Sequence, residues 1–91
     1  CFTLWLTNLL CLEDETRLQQ EKAALLYAVE QFQGDLVLVS SEVGLGIMPM
    51  NALARRFGDE AGAMNQALAK LSDRVTFVAA GLPMPLKSPP F

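Results

Sequence analysis

Hydrophobic residues recur at helical spacing over the first third of the chain. Leucines flank Trp5 between positions 4 and 12 with little polar relief, which predicts a short helix buried on most sides. The acidic stretch 13–16 suits the N-terminus of a second helix, which we expect to stop at Gly34. The apolar face of this second helix consists of Leu18, Leu25, Leu26, Val29 and Phe32.

The segment Leu36–Ser41 follows, a continuous apolar run ending in the small polar Ser40 and Ser41, and it lacks the alternation of a half-exposed strand. It predicts a strand buried on both faces of a parallel sheet. A loop with two glycines and a proline, Val43–Pro49, leads into a strongly amphipathic helix. The apolar positions of that helix step by three or four and are Leu53, Phe57, Ala61, Met64, Leu68 and Leu71. A second row of small residues, Ala54, Gly58 and Gly62, would let another element approach closely.

The pattern of residues 75–80 predicts a second strand that ends at Gly81. Residues 82–91 contain four of the five prolines. We expect this proline-rich tail to be extended or disordered. Strands that alternate with helices predict an α/β sheet with right-handed crossovers. Two strands joined by one helix leave both edges of the sheet exposed, which predicts a part of a larger doubly wound domain and a homo-oligomer.

Composition narrows the function classes. Of 91 residues, 52% are hydrophobic, above the ~45–50% usual for soluble domains. Some apolar faces are therefore expected to pack against chain outside this segment, and the start at Cys1 without Met suggests truncation or processing. The net charge of -3 with seven basic residues disfavours a nucleic-acid partner. With no histidine and two cysteines, the sequence lacks the four ligands of a structural zinc site.

The N-terminal apolar segment is too short for a membrane span, which takes ~20 residues. It also lacks the basic region and the cleavage site of a signal peptide. Cys1 and Cys11 have no basic neighbour that would lower a thiol pKa. We therefore expect reduced thiols in a cytoplasmic protein with no membrane contact.

Four stretches carry a family resemblance: 1–10 (CFTLWLTNLL), 37–49 (VLVSSEVGLGIMP), 51–62 (NALARRFGDEAG) with Asn65-Gln66, and 78–83 (VAAGLP). In this order and spacing the chain resembles the adenosylcobinamide kinase / adenosylcobinamide-phosphate guanylyltransferase family. The loop E-V-G-x-G-I-x-P followed by N-x-L-A-R-x-F is specific when taken together, although a lone G-x-G would carry no weight. The resemblance covers nearly the whole chain except 13–33.

The resemblance implies a RecA-like P-loop fold with a mostly parallel sheet, of which residues 1–91 would form the C-terminal portion, ending in the tail 82–91. It implies two reactions on one scaffold. The first phosphorylates the aminopropanol hydroxyl of adenosylcobinamide, and the second transfers GMP from GTP to that phosphate through a guanylylated histidine. Adenosylcobinamide and a nucleotide, GTP or ATP with Mg²⁺, are the implied ligands of the whole protein.

The phosphate-binding motif G-x-x-x-x-G-K-[ST] does not occur in this chain, and neither does a histidine. The resemblance places that motif, the magnesium-side acidic residue and the histidine upstream of Cys1. We therefore expect no catalytic residue, no metal ligand, no tight nucleotide binding and no activity in these 91 residues alone. Ser41 replaces the usual Asn of the family and Met50 replaces a frequent Glu, which weakens transfer of roles at these positions.

The nucleotide-site candidates share a place beside the first predicted strand end or on the helices next to it. They are Glu42, Ser41, Thr7, Asn8, Gly44, Gly46 and Arg55. Ligands of open parallel sheets collect at the carboxyl ends of strands. Glu42 is thus either a magnesium-water contact or a carboxylate that anchors the loop through backbone N–H groups. Ser41 is either a γ-phosphate sensor or an ordinary strand-end hydroxyl.

The other candidates also have two readings. Gly44 and Gly46 either admit a ligand close to the backbone or only provide positive φ in a tight loop. Thr7 and Asn8 either face the nucleotide cleft or are ordinary polar helix positions. Arg55 either reaches a phosphate or a neighbouring subunit, or lies on a solvated helix face. The alternative for the whole chain is a non-catalytic α/β interaction module that assembles through its free sheet edges.

Overall fold

The structure is a computed structural model that describes residues 1–44 and 50–89. Within these ranges the chain forms helix α1 (Phe2–Cys11), helix α2 (Glu15–Gln31) and helix α3 (Ala52–Leu71). Strands β1 (Val75–Ala79) and β2 (Leu82–Lys87) follow. The α/β class and the three predicted helices are confirmed. No helix in the described ranges is long and apolar enough to cross a bilayer.

Side-chain and backbone caps define the ends of the helices. Asp14 precedes α2 and accepts a hydrogen bond from the N–H of Arg17 at 3.0 Å. Asn51 precedes α3 and accepts from Leu53 and Ala54, at 2.8 and 3.1 Å. These bonds satisfy N–H groups that have no partner inside the helix.

The core lies where the three helices meet. Its first cluster combines α1 with one residue each from α2 and α3, and consists of Leu6, Leu9, Leu10, Leu18 and Ala61. The second cluster joins Phe2 to Met64 and Leu68 of α3. Trp5 packs against both clusters and stacks on Phe2 with ring centroids 5.4 Å apart. The prediction that α1 is buried on most sides is wrong, because only one face is buried (Phe2, Leu6, Leu9 and Leu10) and Leu4 on another side is 63% exposed.

The predicted buried strand at Leu36–Ser41 is wrong for this structure. The segment is extended but pairs with no described strand, and its side chains are exposed, Val37 by 85% and Val39 by 66%. One backbone bond, from the N–H of Phe2 to the carbonyl of Val39 at 3.0 Å, ties it to α1. The sequence pattern indicated a strand with neighbours on both sides, and the described residues supply none.

The described sheet is also not parallel as predicted. β1 and β2 form an antiparallel hairpin in which Ala79 pairs with Leu82. The two-residue turn between them has φ of 52° at Ala80 and 75° at Gly81. Positive φ at both turn residues is the type I′ geometry, whose twist matches that of the strands. Part of the predicted tail is therefore a paired strand.

The prolines of β2 decide which edge of the hairpin is open. Antiparallel pairing uses the N–H groups of alternate residues, and the turn requires that of Leu82 to point at β1. Pro83 and Pro85 have the opposite parity and point away from β1. Because proline has no N–H, the outer edge of β2 lacks donors there. Only the outer edge of β1, at Thr76 and Val78, keeps its donors for another strand.

Ion pairs hold α2 against α3. Lys22 pairs with Glu60, and both side chains are only 16% exposed. Arg56 pairs with the more exposed Glu15 and lies 3.6 Å from Glu60. The small-residue row of α3 is not occupied, because a Cβ added at Gly58 or at Gly62 would meet no atom within 4 Å. No described element therefore approaches α3 along that row.

Replacing Ala80 by Asn should stabilise the protein by ~0.5–1 kcal/mol. A non-glycine residue in the left-handed region costs ~1–2 kcal/mol, and Asn tolerates that region better than Ala. The free energy of unfolding from chemical denaturation measures the gain. Ala80→Val is the opposing control and should destabilise, because a β-branched side chain is strained at positive φ. Equal stability of both variants would contradict the type I′ turn.

The Glu15–Arg56 pair should make stability depend on pH in the acid range. The hydrogen bond from Arg56, then that from Gln19, lowers the pKa of Glu15 below its ordinary value of 4.5. A lowered folded-state pKa stabilises the protein above the ordinary value, and this contribution is lost as pH falls through the lowered pKa.

We therefore expect Glu15→Gln to reduce the melting temperature near neutral pH and to match the unchanged protein at low pH. Glu30→Gln is the control, since Glu30 is exposed and has no partner among the described residues. A Glu15→Gln effect that persisted below the lowered pKa would contradict the ion-pair explanation.

Candidate functional site

The end of the extended segment 36–44 lies between the start of α1 and the middle of α3. The N–H of Ser41 donates to Thr3 Oγ1 at 2.9 Å, and the Val39 carbonyl accepts from Phe2. On the other side, Ser40 Oγ donates to Asn65 Oδ1 at 2.7 Å. We call Thr3, Ser40, Ser41 and Asn65 the strand-end cluster. Side chains of two helices thus replace the ladder bonds that a neighbouring strand would provide.

Asn65 makes the central contacts of this cluster. Its Oδ1 accepts from Ser40 Oγ, and its Nδ2 donates to the Ser41 carbonyl at 3.2 Å. The side chain is half-buried on α3, next to the buried Met64 and one turn after the buried Ala61. Helical spacing therefore puts the carboxamide at the rim of the core, where it reaches the segment.

Glu42 follows the cluster directly and closes a small loop. Its Oε1 accepts from the N–H of Gly44 at 2.7 Å. A Cβ at Gly44 would lie 2.9 Å from that oxygen, so a larger residue there would require the Glu42 side chain to shift. The structure thus shows the loop-anchoring contact that the sequence offered as one alternative for Glu42. Its second oxygen, Oε2, has no partner within residues 1–44 and 50–89.

Thr7 lies one turn from the cluster, and its Oγ1 donates to the carbonyl of Thr3 at 2.9 Å. Thr7 also lines an open cavity of about 450 Å³ between α1 and the start of α3, which is mostly apolar and includes Leu10 and Phe57. Asn8 is exposed on α1 and does not line this cavity. The structure therefore brings Ser41 and Thr7 together through Thr3 and leaves Asn8 outside the group.

Arg55 and Arg56, neighbours on α3, have different surroundings. Arg55 is exposed in the first turn of the helix, and none of the described residues pairs with its side chain. Arg56 pairs with Glu15 of α2, and the hydrogen bond to Glu15 raises the pKa of Arg56 above its usual range. Of these two arginines, Arg55 is the one whose guanidinium is not already paired with a described residue. Gly46 lies outside the described residues.

The donors at the segment end are hard oxygen atoms: the Glu42 carboxylate and the hydroxyls of Ser40 and Ser41. Mg²⁺ prefers such ligands and is usually held by one or two carboxylates together with waters and substrate phosphates. The described residues contain no group of three or more acidic, Cys or His side chains placed to hold a metal alone. One carboxylate and two hydroxyls are ligand types that magnesium accepts, but they do not form a complete site by themselves.

Sequence reasoning missed the roles of Thr3 and Asn65. Both lie inside stretches that carry the family resemblance, which was the available signal. Neither residue type indicates chemistry on its own, because Thr and Asn on a helix are ordinary polar positions. Their function depends on where the segment 39–41 lies, and helical spacing does not give that position.

Comparison with known protein families identifies relatives of this chain. The profile of the family described as cobinamide kinase / cobinamide phosphate guanyltransferase matches residues 1–86. The chain is 53% identical to the bifunctional adenosylcobalamin biosynthesis protein CobP of Pseudomonas aeruginosa over 99% of its own length. It is 41% identical over 80% of its length to the corresponding protein CobU of Salmonella typhimurium.

The chain covers 52% of the Pseudomonas protein and 40% of the Salmonella protein, so it spans about half the length of the relatives it matches, or less. The matched region includes the strand-end cluster, Glu42 and α3. Both the residues quoted in the sequence and the family profile lead to the same assignment. The chain belongs to the cobinamide kinase / cobinamide phosphate guanyltransferase family.

Proposed function

We propose that this chain is the C-terminal portion of a bifunctional enzyme that phosphorylates adenosylcobinamide and transfers GMP from GTP to the resulting phosphate. The observation that carries the proposal is the family match over residues 1–86, together with 53% identity to a bifunctional relative along almost the entire chain. The relatives act in adenosylcobalamin biosynthesis according to their names. A RecA-like P-loop fold of the whole protein is part of this proposal.

Within that enzyme, the strand-end cluster and Glu42 form one wall of the nucleotide site. Glu42 holds the loop at Gly44 through one oxygen and presents the other to a phosphate-bound magnesium ion or one of its waters. Ser41, beside Asn65, offers a hydroxyl to phosphate oxygens. Arg55, in the first turn of α3, offers a cation. Magnesium, when bound, neutralises the charge that develops on the transferred phosphoryl group.

The second candidate is an interaction module that assembles through a sheet edge. The observation in its favour is the outer edge of β1, which keeps donors that the prolines remove from β2. The same edge supports homo-oligomers or pairing with the rest of a longer protein.

A cytoplasmic location is proposed as well, supported by two free exposed thiols, Cys1 and Cys11.

The 91-residue chain alone should neither phosphorylate adenosylcobinamide nor transfer GMP, whereas a full-length protein that contains it should do both. Phosphoryl transfer depends on preorganised phosphate contacts, and the sequence has no phosphate-binding loop and no histidine. Incubation with GTP or ATP, Mg²⁺ and adenosylcobinamide, followed by chromatography of the corrinoids, measures both. An inactive full-length protein together with a defined oligomer of the chain would favour the interaction module.

Glu42→Gln should lower turnover of the full-length enzyme by ~100-fold, the scale of a lost positioning contact. Glutamine keeps an oxygen that accepts from the Gly44 N–H, so the loop stays anchored while the charge is removed. The melting temperature should therefore stay close to that of the unchanged protein.

Two further variants separate the alternatives for Glu42. Glu42→Ala removes the loop anchor as well as the charge, and Asp59→Asn removes an exposed carboxylate from α3 as a control. If Glu42 only anchors the loop, Glu42→Gln retains full turnover and Glu42→Ala alone has an effect. That outcome would reject the magnesium role.

A further inference from the structure

We infer that Asn65 is a positioning residue of the nucleotide site, which sets the orientation of Glu42 through the Ser41–Glu42 peptide. This inference rests on the proposed function. Its basis is the pair of hydrogen bonds by which one carboxamide holds two consecutive residues, Ser40 and Ser41. No residue of this cluster was among the predicted sites except Ser41.

The segment depends on side chains for its position. A strand in a sheet is held by backbone bonds on both sides, but residues 36–41 pair with no described strand. Two of the contacts that hold the segment end come from α1, through Phe2 and Thr3. The contacts from α3 come from Asn65. Asn65 thus determines how the segment is fixed relative to the long helix.

The chemistry of the contacts requires a carboxamide. Asn65 accepts from the Ser40 hydroxyl with Oδ1 and donates to the Ser41 carbonyl with Nδ2. Aspartate has no donor, and alanine has neither group. Asn is a poor residue for a helix interior because its side chain competes for backbone bonds, yet here it lies in the middle of α3. Its contacts with the segment give a reason for its presence.

The contacts reach Glu42 through a single peptide unit. The Ser41 carbonyl belongs to the same planar unit as the N–H of Glu42, so a bond to that oxygen restricts the plane. From that plane the Glu42 side chain reaches the N–H of Gly44. A change at Asn65 is therefore transmitted to the carboxylate and to the start of the loop, although Asn65 itself does not touch Glu42.

Loss of the carboxamide should leave the fold intact. α3 is held by the buried Ala61, Met64 and Leu68 and by the pairing of Lys22 with Glu60. None of these contacts involves Asn65. The inference is thus testable without unfolding the protein.

In the full-length enzyme, Asn65→Ala and Asn65→Asp should lower kcat by ~10- to 100-fold with a smaller change in KM for GTP. The melting temperature should change by no more than ~4 °C, as expected for an exposed hydrogen bond. Ser40→Ala deletes one of the same bonds from the other side and should lower kcat less. Combined with Asn65→Ala, it should add little. Gln66→Ala, at the next and exposed position, is the matched control and should be unchanged.

Amide hydrogen exchange separates this inference from the proposed function. In Asn65→Ala, exchange should accelerate at Ser41 and Gly44, whose N–H groups donate to Thr3 Oγ1 and Glu42 Oε1, while exchange at Met64 and Leu68 stays the same. Normal kcat and normal exchange in Asn65→Ala would overturn the inference, as would a loss of kcat explained by the unfolded fraction. If the unchanged full-length protein has no activity, the proposed function fails, and the exchange result still decides whether Asn65 positions the segment.

Discussion

The structure depends on the burial of α1 between α2 and α3. This helix is apolar on most sides, and Leu6 at its centre is fully buried. Burying such a side chain contributes ~1.5–3 kcal/mol, far more than an exposed ion pair. Trp5 packs against both clusters of the core, so α1 links the contacts made by α2 with those made by α3. The positions of Thr3 and Asn65, which meet across the extended segment, follow from this packing.

The two edges of the hairpin differ in the hydrogen-bond donors that they offer to another strand. Two prolines at the outward positions of β2 remove the donors from one edge, and the opposite edge of β1 keeps them. Lys87 at the end of β2 donates to the carbonyls of Ala69 and Lys70, at 2.9 and 3.2 Å, and so attaches the hairpin to the end of α3. The last carbonyls of a helix have no hydrogen-bond partner within the helix, and the Lys87 ammonium supplies one for these two. Any added strand therefore joins on the β1 side.

The helices could be predicted from the sequence because 3.6-residue spacing is a local property. α3 shows this well, since its predicted apolar positions include the buried Ala61, Met64 and Leu68. The sheet could not be predicted in the same way. An apolar run such as 36–39 indicates a strand only if neighbouring strands are present. The hairpin was missed because Pro83 and Pro85 resemble a disordered tail, although prolines on alternate residues are compatible with an edge strand.

The candidate site likewise combines a contact between residues close in sequence with contacts between residues far apart in sequence. Glu42 was identified from its place after an apolar run, and its bond to Gly44 is local in sequence. Asn65 contacts Ser40 across 25 positions, so only the packing of α3 reveals it. The Glu42–Gly44 bond and the Asn65 contacts are connected, because Asn65 holds the Ser41 carbonyl, whose peptide unit leads into Glu42. The geometry at Glu42–Gly44 therefore depends on the helical core as well as on the local sequence. A substitution on α3 that leaves the core intact can then alter the loop without touching it.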